Sequence, residues 1–436
     1  MLSWKSALRI GRVTRTMPRK STTECPQPEP VICTGGSSPA ALAHLTAVVE
    51  DFLTQRDNGQ ILPPIFLIPP RTSIAAAKAE ISQFHIPAET GVLMRTSGST
   101  TGEGKIVALS WDSLIYSAQV SQLAMGGAGA WITRLPLHHI AGFQAVLRSV
   151  LSGYRPFYEY REPDLLEKEK IAEIPRIYRA QVPTQLQEMM EDPQLLAKNP
   201  ATALLIGGAA LRSDLQAAAR RAGLNIITSY GMTETGGGCV YNGVAIGDTQ
   251  IEIAENGQVS LGGSVVAQGY LRKKIAPPAE EKEFSLHAGT RFHHTRDLGK
   301  FTASGKLEIL GRIDDAITTG GLTIIPKIVE EAIAAQFSTA AVVVGIPDQK
   351  WGEAVIAITE KPREETVVRS YLKEKFTGGW VPKRVISWPD LAAATLTELP
   401  ANWDKNSFLF PRMESGKINR RQLRLWAKGY IEKNVE

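Results

Sequence analysis

TSGSTTGEGK, Thr96 to Lys105, packs glycines and hydroxyls into one short stretch and closes it with a lysine. Gly98, Gly102 and Gly104 let a backbone approach an anion closely, and Thr96, Ser97, Ser99, Thr100 and Thr101 offer hydroxyl donors to phosphate oxygens. It is not a Walker A loop, which needs a glycine five residues before the Gly-Lys pair and Ser or Thr after it. Here Ser99 and Ile106 hold those places. By composition alone such a stretch is more often a flexible turn. Its surroundings decide. Residues 91–95 read as a strand that delivers the loop, and a helix begins at Ser110, with Ser or Asp as its cap.

Outward from the loop, helical and strand patterns alternate. Residues 40–55 have helical spacing, 61–68 read as a strand, 131–135 as a buried strand and 140–151 as an apolar helix. Short apolar runs at 178–182, 203–206 and 225–229 read as core strands separated by helices. This alternation predicts a layered α/β domain. From Gly243 the texture changes to short strands with Gly and Asn turns, a β-rich subdomain. Near residue 313 it changes again: Pro326 opens a helix (PKIVEEAIAAQF), then a strand at 340–344, a turn at GIPD and another strand follow. The expected organisation is a basic leader (1–20), a large α/β N-terminal domain (21–313) and a small, mobile α+β C-terminal domain (314–436).

Composition narrows the function classes. The 436-residue chain carries a net charge of +5, yet residues 1–20 hold six basic side chains and no acid, so the remainder is almost neutral. Nothing in that balance points to nucleic acid. The leader reads as a disordered tail, with Met17 as an alternative start, rather than as a transit peptide. No apolar run reaches the roughly 18 residues that span a bilayer, so membrane insertion is not expected. Cys25, Cys33 and Cys239 show no metal-ligand spacing and fit a reducing cytoplasm.

Four further segments follow the loop: LPLHHIAG (135–142), SYGMTETGGG (229–238), HTRDLGKF (294–301) with GRIDDAITTGG (311–321), and MESGKINRRQL (413–423). In this order, over roughly residues 90–425, the chain resembles the acyl-adenylate-forming superfamily of acyl-CoA synthetases, luciferases and adenylation domains. The resemblance implies ATP, Mg²⁺ and coenzyme A as partners in a two-step reaction. A carboxylate attacks the α-phosphate of ATP and pyrophosphate leaves, so cations and aligned donors are the main catalytic resource.

The resemblance also implies residue roles. Lys105 and the loop hydroxyls face the β- and γ-phosphates. Thr233 contacts the α-phosphate and Glu234 holds the metal. Tyr230, within Ser229, Gly231 and Met232, stacks on adenine, which Gly207, Gly208 and Ala209 line. Asp297 takes the ribose hydroxyls, with Arg312 nearby. Lys417 is the adenylation cation, Asp314 the hinge, and Gly320 and Gly321 border the coenzyme A channel. Outside such a set, Tyr230 reads as a core aromatic, Glu234 as a solvated charge and Asp297 as a turn cap. One departure matters: the loop has an extra residue relative to Ser-Gly-Ser/Thr-Thr-Gly-x-Pro-Lys-Gly, with Gly104 for the proline and Ile106 for the last glycine, which makes it less rigid.

Residues 131–158 contain no Asp or Glu but include Arg134, Arg148 and Arg155. An amino-acid substrate needs a carboxylate for its ammonium, so that class is disfavoured, whereas a buried arginine selects a second negative charge. HHIAGFQAVLRS, QVPTQL, LLIGGAAL and YGMTETGGGCVYNG are similar to the compact o-succinylbenzoyl-CoA synthetases of menaquinone biosynthesis, in their actinobacterial form. That likeness implies o-succinylbenzoate as substrate, Arg148 on its aromatic carboxylate, His139 beside the reacting one, and Thr184, Gly236 and Gly237 around the ring. The alternatives are another aryl- or acyl-CoA ligase and a non-catalytic nucleotide-binding protein. A homo-oligomer is compatible with the sequence.

Overall fold

The computed structural model describes residues 28–96, 104–158, 173–275, 282–395, 410–412 and 418–434. Two sheets enclose a pair of helices. In the first sheet, Val31–Thr34, Ile65–Ile68 and Thr90–Arg95 run parallel, then Ile106–Ser110 pairs antiparallel with Thr90–Arg95 and Gly269–Tyr270 closes the edge. In the second, Ala130–Thr133, Phe157–Tyr158, Ile177–Gln181, Ala203–Ile206 and Ile226–Met232 are parallel, and Gly237–Tyr241 and Val244–Ala245 extend it antiparallel. Continuous apolar strands of this kind need cover on both faces.

Helices Trp111–Ala124 and Ile140–Leu151 provide that cover between the sheets. Leu114, Phe143, Val146 and Leu147 pack toward the first sheet, while Val120 and Ala145 pack with Trp131 and Tyr178 of the second. Ser110 caps the first of these helices, its hydroxyl accepting from the Ser113 N–H at 3.1 Å. Leu186, Leu215 and Ala219 from helices Pro183–Glu191 and Ser213–Arg221 cover the outer face of the second sheet. The result is the layered α/β fold expected from the alternation.

The β-rich unit starts later than the change of texture at Gly243 suggests, because Val244–Ala245 still belongs to the second sheet. Its strands are Gln250–Ile253, Gln258–Gly262, Phe284–His287, Thr290–Phe301 and Leu307–Arg312. The C-terminal sheet comprises Ile317–Thr319, Leu322–Ile324, Ala341–Asp348, Gly352–Thr359 and Arg384–Ser387. Helices Pro326–Phe337 and Glu365–Lys375 lie on one side of it and Arg420–Asn434 on the other.

The expected turn at GIPD is not there. Gly345, Ile346, Pro347 and Asp348 continue the strand Ala341–Asp348 in register with Gly352–Thr359. Proline is tolerated because this is an edge strand, and Gly345 fits a crowded crossing where a Cβ would lie 2.8 Å from Ile317 Cγ2. Among the described residues no helix is long and apolar enough to cross a membrane.

Candidate active site

Several of the selected residues lie just past the carboxyl ends of the parallel strands in the second sheet, where open α/β sheets bind ligands. Thr184 is in the first turn of Pro183–Glu191, after Ile177–Gln181. Gly207, Gly208 and Ala209 follow Ala203–Ile206, and Thr233 and Glu234 follow Ile226–Met232. His139 precedes Ile140–Leu151, half-buried at the helix N-terminus, with its ring 4.4 Å from that of the buried His138.

Close backbone passage explains the glycines here. Gly207 faces the backbone of Ser229, with a Cβ position 3.2 Å from that carbonyl oxygen. Gly231 sits at an irregularity in the pairing of Ile226–Met232 with Gly237–Tyr241, and a Cβ there would be 2.2 Å from Gly237 O. Gly208 has φ +78° and packs on Val182.

Tyr230 donates its phenol proton to Asp297 Oδ2 at 2.8 Å. Burial, with the Asp297 charge beside it, holds that phenol well above its ordinary range, so it stays a neutral donor. Asp297 Oδ1 accepts from Arg312 at 3.2 Å, a pair set by the strand register that places Asp297 opposite Arg312. Arg312 reaches on to Asp314 Oδ2 at 3.1 Å, and Arg296 Nε donates to Asp314 Oδ1 at 2.9 Å. Burial alone would raise the Asp314 carboxyl, but its hydrogen bonds from Arg296 and Arg312 hold it below the usual carboxylate range. Tyr230, Asp297, Arg312 and Asp314 therefore form one connected network.

Met232 leads into a 3₁₀ turn, Thr233–Thr235, that buries Glu234. Glu234 Oε1 accepts from the Tyr270 hydroxyl at 2.6 Å. Tyr270 pairs with Val107 in the first sheet, and Lys105 Nζ lies 4.4 Å from its ring centroid. Thr96 and Lys105 close the loop, Thr96 N–H donating to Lys105 O at 2.9 Å. Ser97, Gly98, Ser99, Thr100, Thr101 and Gly102 lie outside the described residues, as does Lys417.

The third group surrounds a buried cation. Gly236 (φ +58°) and Gly237 (φ +115°) turn beneath helix Ile140–Leu151. The Gly236 carbonyl accepts from Gln144 Nε2 at 2.7 Å and Ser117 Oγ at 3.1 Å. A Cβ on Gly237 would stand 3.3 Å from Gln144 Cγ and 3.9 Å from a terminal nitrogen of Arg148. Arg148 is 3% exposed, its guanidinium 4.8 Å from the Trp131 ring, and its Nε has no hydrogen-bond partner. Burial lowers its proton affinity, with Tyr241 acting against that. Arg134 pairs instead with Glu188, and Arg155 lies 3.7 Å from Glu50.

Gly320 and Gly321 stand apart, on a two-residue hairpin of the C-terminal sheet. Their φ values of +54° and +80° suit a type I′ turn, and Gly320 packs on Trp351. Tyr270 and Gln144 carry no motif signal, because strand pairing and interlayer packing bring them in. Cys33 and Cys239 are buried, which pushes their thiols up to about 11 and about 12.

The profile of the AMP-binding enzyme family matches residues 55–271. A probable 2-succinylbenzoate–CoA ligase of Mycobacterium tuberculosis (strain CDC 1551 / Oshkosh) is 32% identical over 316 residues, covering 70% of this chain and 79% of that protein. The chain belongs to the AMP-binding enzyme family. Another relative, the 2-succinylbenzoate–CoA ligase of Listeria monocytogenes serotype 4b (strain F2365), is 28% identical over 76% of this chain and 69% of its own length. Among solved members, o-succinylbenzoate CoA synthetase (MenE) from Bacillus subtilis, in complex with the acyl-adenylate intermediate OSB-AMP, aligns with a TM-score of 0.65. It is 22% identical and the alignment covers 91% of this chain and 88% of that one. ATP-bound MatB from Rhodopseudomonas palustris aligns at 0.66 with 20% identity, over 93% of this chain and 90% of that one. Both share the AMP-binding enzyme fold, a large N-terminal and a small C-terminal domain.

Proposed function

We propose that this AMP-binding enzyme is an ATP-dependent o-succinylbenzoate–CoA ligase of menaquinone biosynthesis. The observation that carries the substrate is Arg148. A buried guanidinium without a carboxylate partner among the described residues is costly unless a ligand anion completes it. o-Succinylbenzoate has one carboxylate to activate and a second, on the ring, for Arg148. The glycines at 236 and 237 leave room for the ring, with Thr184 beside it.

In the first step a succinyl carboxylate oxygen attacks the α-phosphorus, and the bond to pyrophosphate breaks with its electron pair on the leaving group. Tyr230, with Ser229, Gly231 and Met232, stacks on adenine against Gly207, Gly208 and Ala209, and Asp297 accepts from the ribose hydroxyls beside Arg312. Thr233 donates to the α-phosphate, Lys105 and the loop residues 96–102 serve the β- and γ-phosphates, and His139 borders the reacting carboxylate. A buried carboxylate such as Glu234, fixed by Tyr270, suits Mg²⁺, which binds through one or two carboxylates plus substrate phosphates. When bound, the ion offsets phosphate charge. Lys417 supplies positive charge to offset the repulsion of the two anions that must meet.

In the second step the thiol sulfur of coenzyme A attacks the acyl carbon, its proton is lost and AMP leaves. A C-terminal domain from residue 314 pivots at Asp314, presenting Gly320 and Gly321 to the pantetheine arm. The proposal includes a cytoplasmic location and no nucleic-acid partner.

Pyrophosphate release with a panel of acids tests the substrate. o-Succinylbenzoate should give the highest kcat/KM, ahead of benzoate, a fatty acid and an amino acid. Preference for a monocarboxylate would place the protein among other aryl- or acyl-CoA ligases. No release with any acid would favour a non-catalytic nucleotide-binding protein.

A further inference from the structure

Lys105 is already engaged by a carboxylate. Its Nζ lies 2.5 Å from Glu283 Oε1 and 4.4 Å from the Tyr270 ring centroid. Glu283 is held in place by its own backbone: its carbonyl accepts from the His294 N–H at 2.8 Å and from His293 Nδ1 at 2.9 Å. Phe284, the next residue, pairs with His293, and its ring meets Tyr270 edge-on at 5.3 Å. The strand end and the aromatic pair thus flank the Lys105 ammonium, and Tyr270 links it to the Glu234 carboxylate. Burial opposes ionisation of Glu283, but the Lys105 hydrogen bond and charge hold its carboxyl below the usual range, so it is an anion at neutral pH.

An ammonium paired with a carboxylate attracts a polyphosphate less than a bare one does. We propose that Glu283 is a positioning residue for Lys105: it holds the ammonium in the nucleotide-free enzyme and competes for it with the triphosphate and with pyrophosphate. This rests on reading Lys105 as the ligand of the outer phosphates. Glu283 therefore weakens binding of both polyphosphates and speeds departure of the product. A pair this exposed shifts binding by about two- to fivefold.

Calorimetric Kd values for Mg·ATP and for Mg·pyrophosphate, taken with no acid present, make the test independent of the carboxylate substrate. Wild type, Glu283→Gln, Lys105→Ala and the double variant are compared. Glutamine keeps the shape of the side chain and removes its charge. Glu283→Gln should lower both Kd values about two- to fivefold, and the same change should have no effect once Lys105 is alanine. If Lys105→Ala weakens ATP but Glu283→Gln leaves both Kd values unchanged or raised, the proposal is overturned alone. So is it if the glutamine tightens binding equally without Lys105. If Lys105→Ala leaves ATP binding unchanged, the phosphate role of Lys105 falls and the proposal with it.

Discussion

Lys417→Ala is expected to slow formation of the acyl-adenylate by about 10²–10³-fold while leaving its conversion to thioester near the wild-type rate. Two anions must close on each other in the first step, and a cation between them is worth most as they meet. No such charge builds up when a thiol attacks the adenylate. The flanks of Lys417 are fixed to the C-terminal domain: Arg412 and Ile418 form an isolated β-bridge, and the Asn419 N–H donates to Pro411 O at 2.8 Å. Arg420 then clamps Glu330 through two hydrogen bonds of 2.6 Å. Supplying pre-formed acyl-adenylate separates the halves. Asp314→Pro should block the thioester half, because proline freezes φ at the pivot. Equal loss of both halves in Lys417→Ala would sink the moving-domain account.

Arg148→Met should raise the KM for o-succinylbenzoate by about 10- to 150-fold, the equivalent of losing a charge-assisted contact worth about 1.5–3 kcal/mol. Methionine keeps an apolar stem between Trp131 and Gly237, so packing is largely preserved, and the KM for ATP should stay put. Among the described residues Arg148 has no carboxylate partner for its removal to strand. A substrate analogue lacking the ring carboxylate sharpens the comparison. It should be a poor substrate of the wild type and should not distinguish the variant from it. An unchanged KM for o-succinylbenzoate would remove Arg148 from the acyl site.

Local patterns made much of the fold legible. Helices Ile140–Leu151 and Pro326–Phe337 begin and end where their periodicity and the N-terminal proline indicate, and Ser110 caps as its hydroxyl suggests. GIPD misled because Gly and Pro usually signal a turn, and only the sheet order reveals an edge strand that tolerates both. In the site, Glu234 and Asp297 stand in recognisable segments, but the groups that orient them do not. Tyr270 reaches Glu234 through pairing with Val107, Arg296 reaches Asp314 from a neighbouring strand, and Glu283 reaches Lys105 from the end of another. Those contacts join residues far apart in sequence, and no local spacing encodes them. Gln144 and Ser117 are likewise invisible until two helices and the Gly236 turn meet.

This protein joins a carboxylate to the α-phosphate of ATP and passes the acyl group to coenzyme A. o-Succinylbenzoate labelled with ¹⁸O in its carboxylates tests that most directly. In the presence of Mg·ATP and coenzyme A, each thioester formed should be accompanied by one AMP carrying a single ¹⁸O, since the attacking oxygen stays on phosphorus when the thiol displaces AMP. Unlabelled AMP, or ADP in place of AMP, would contradict it.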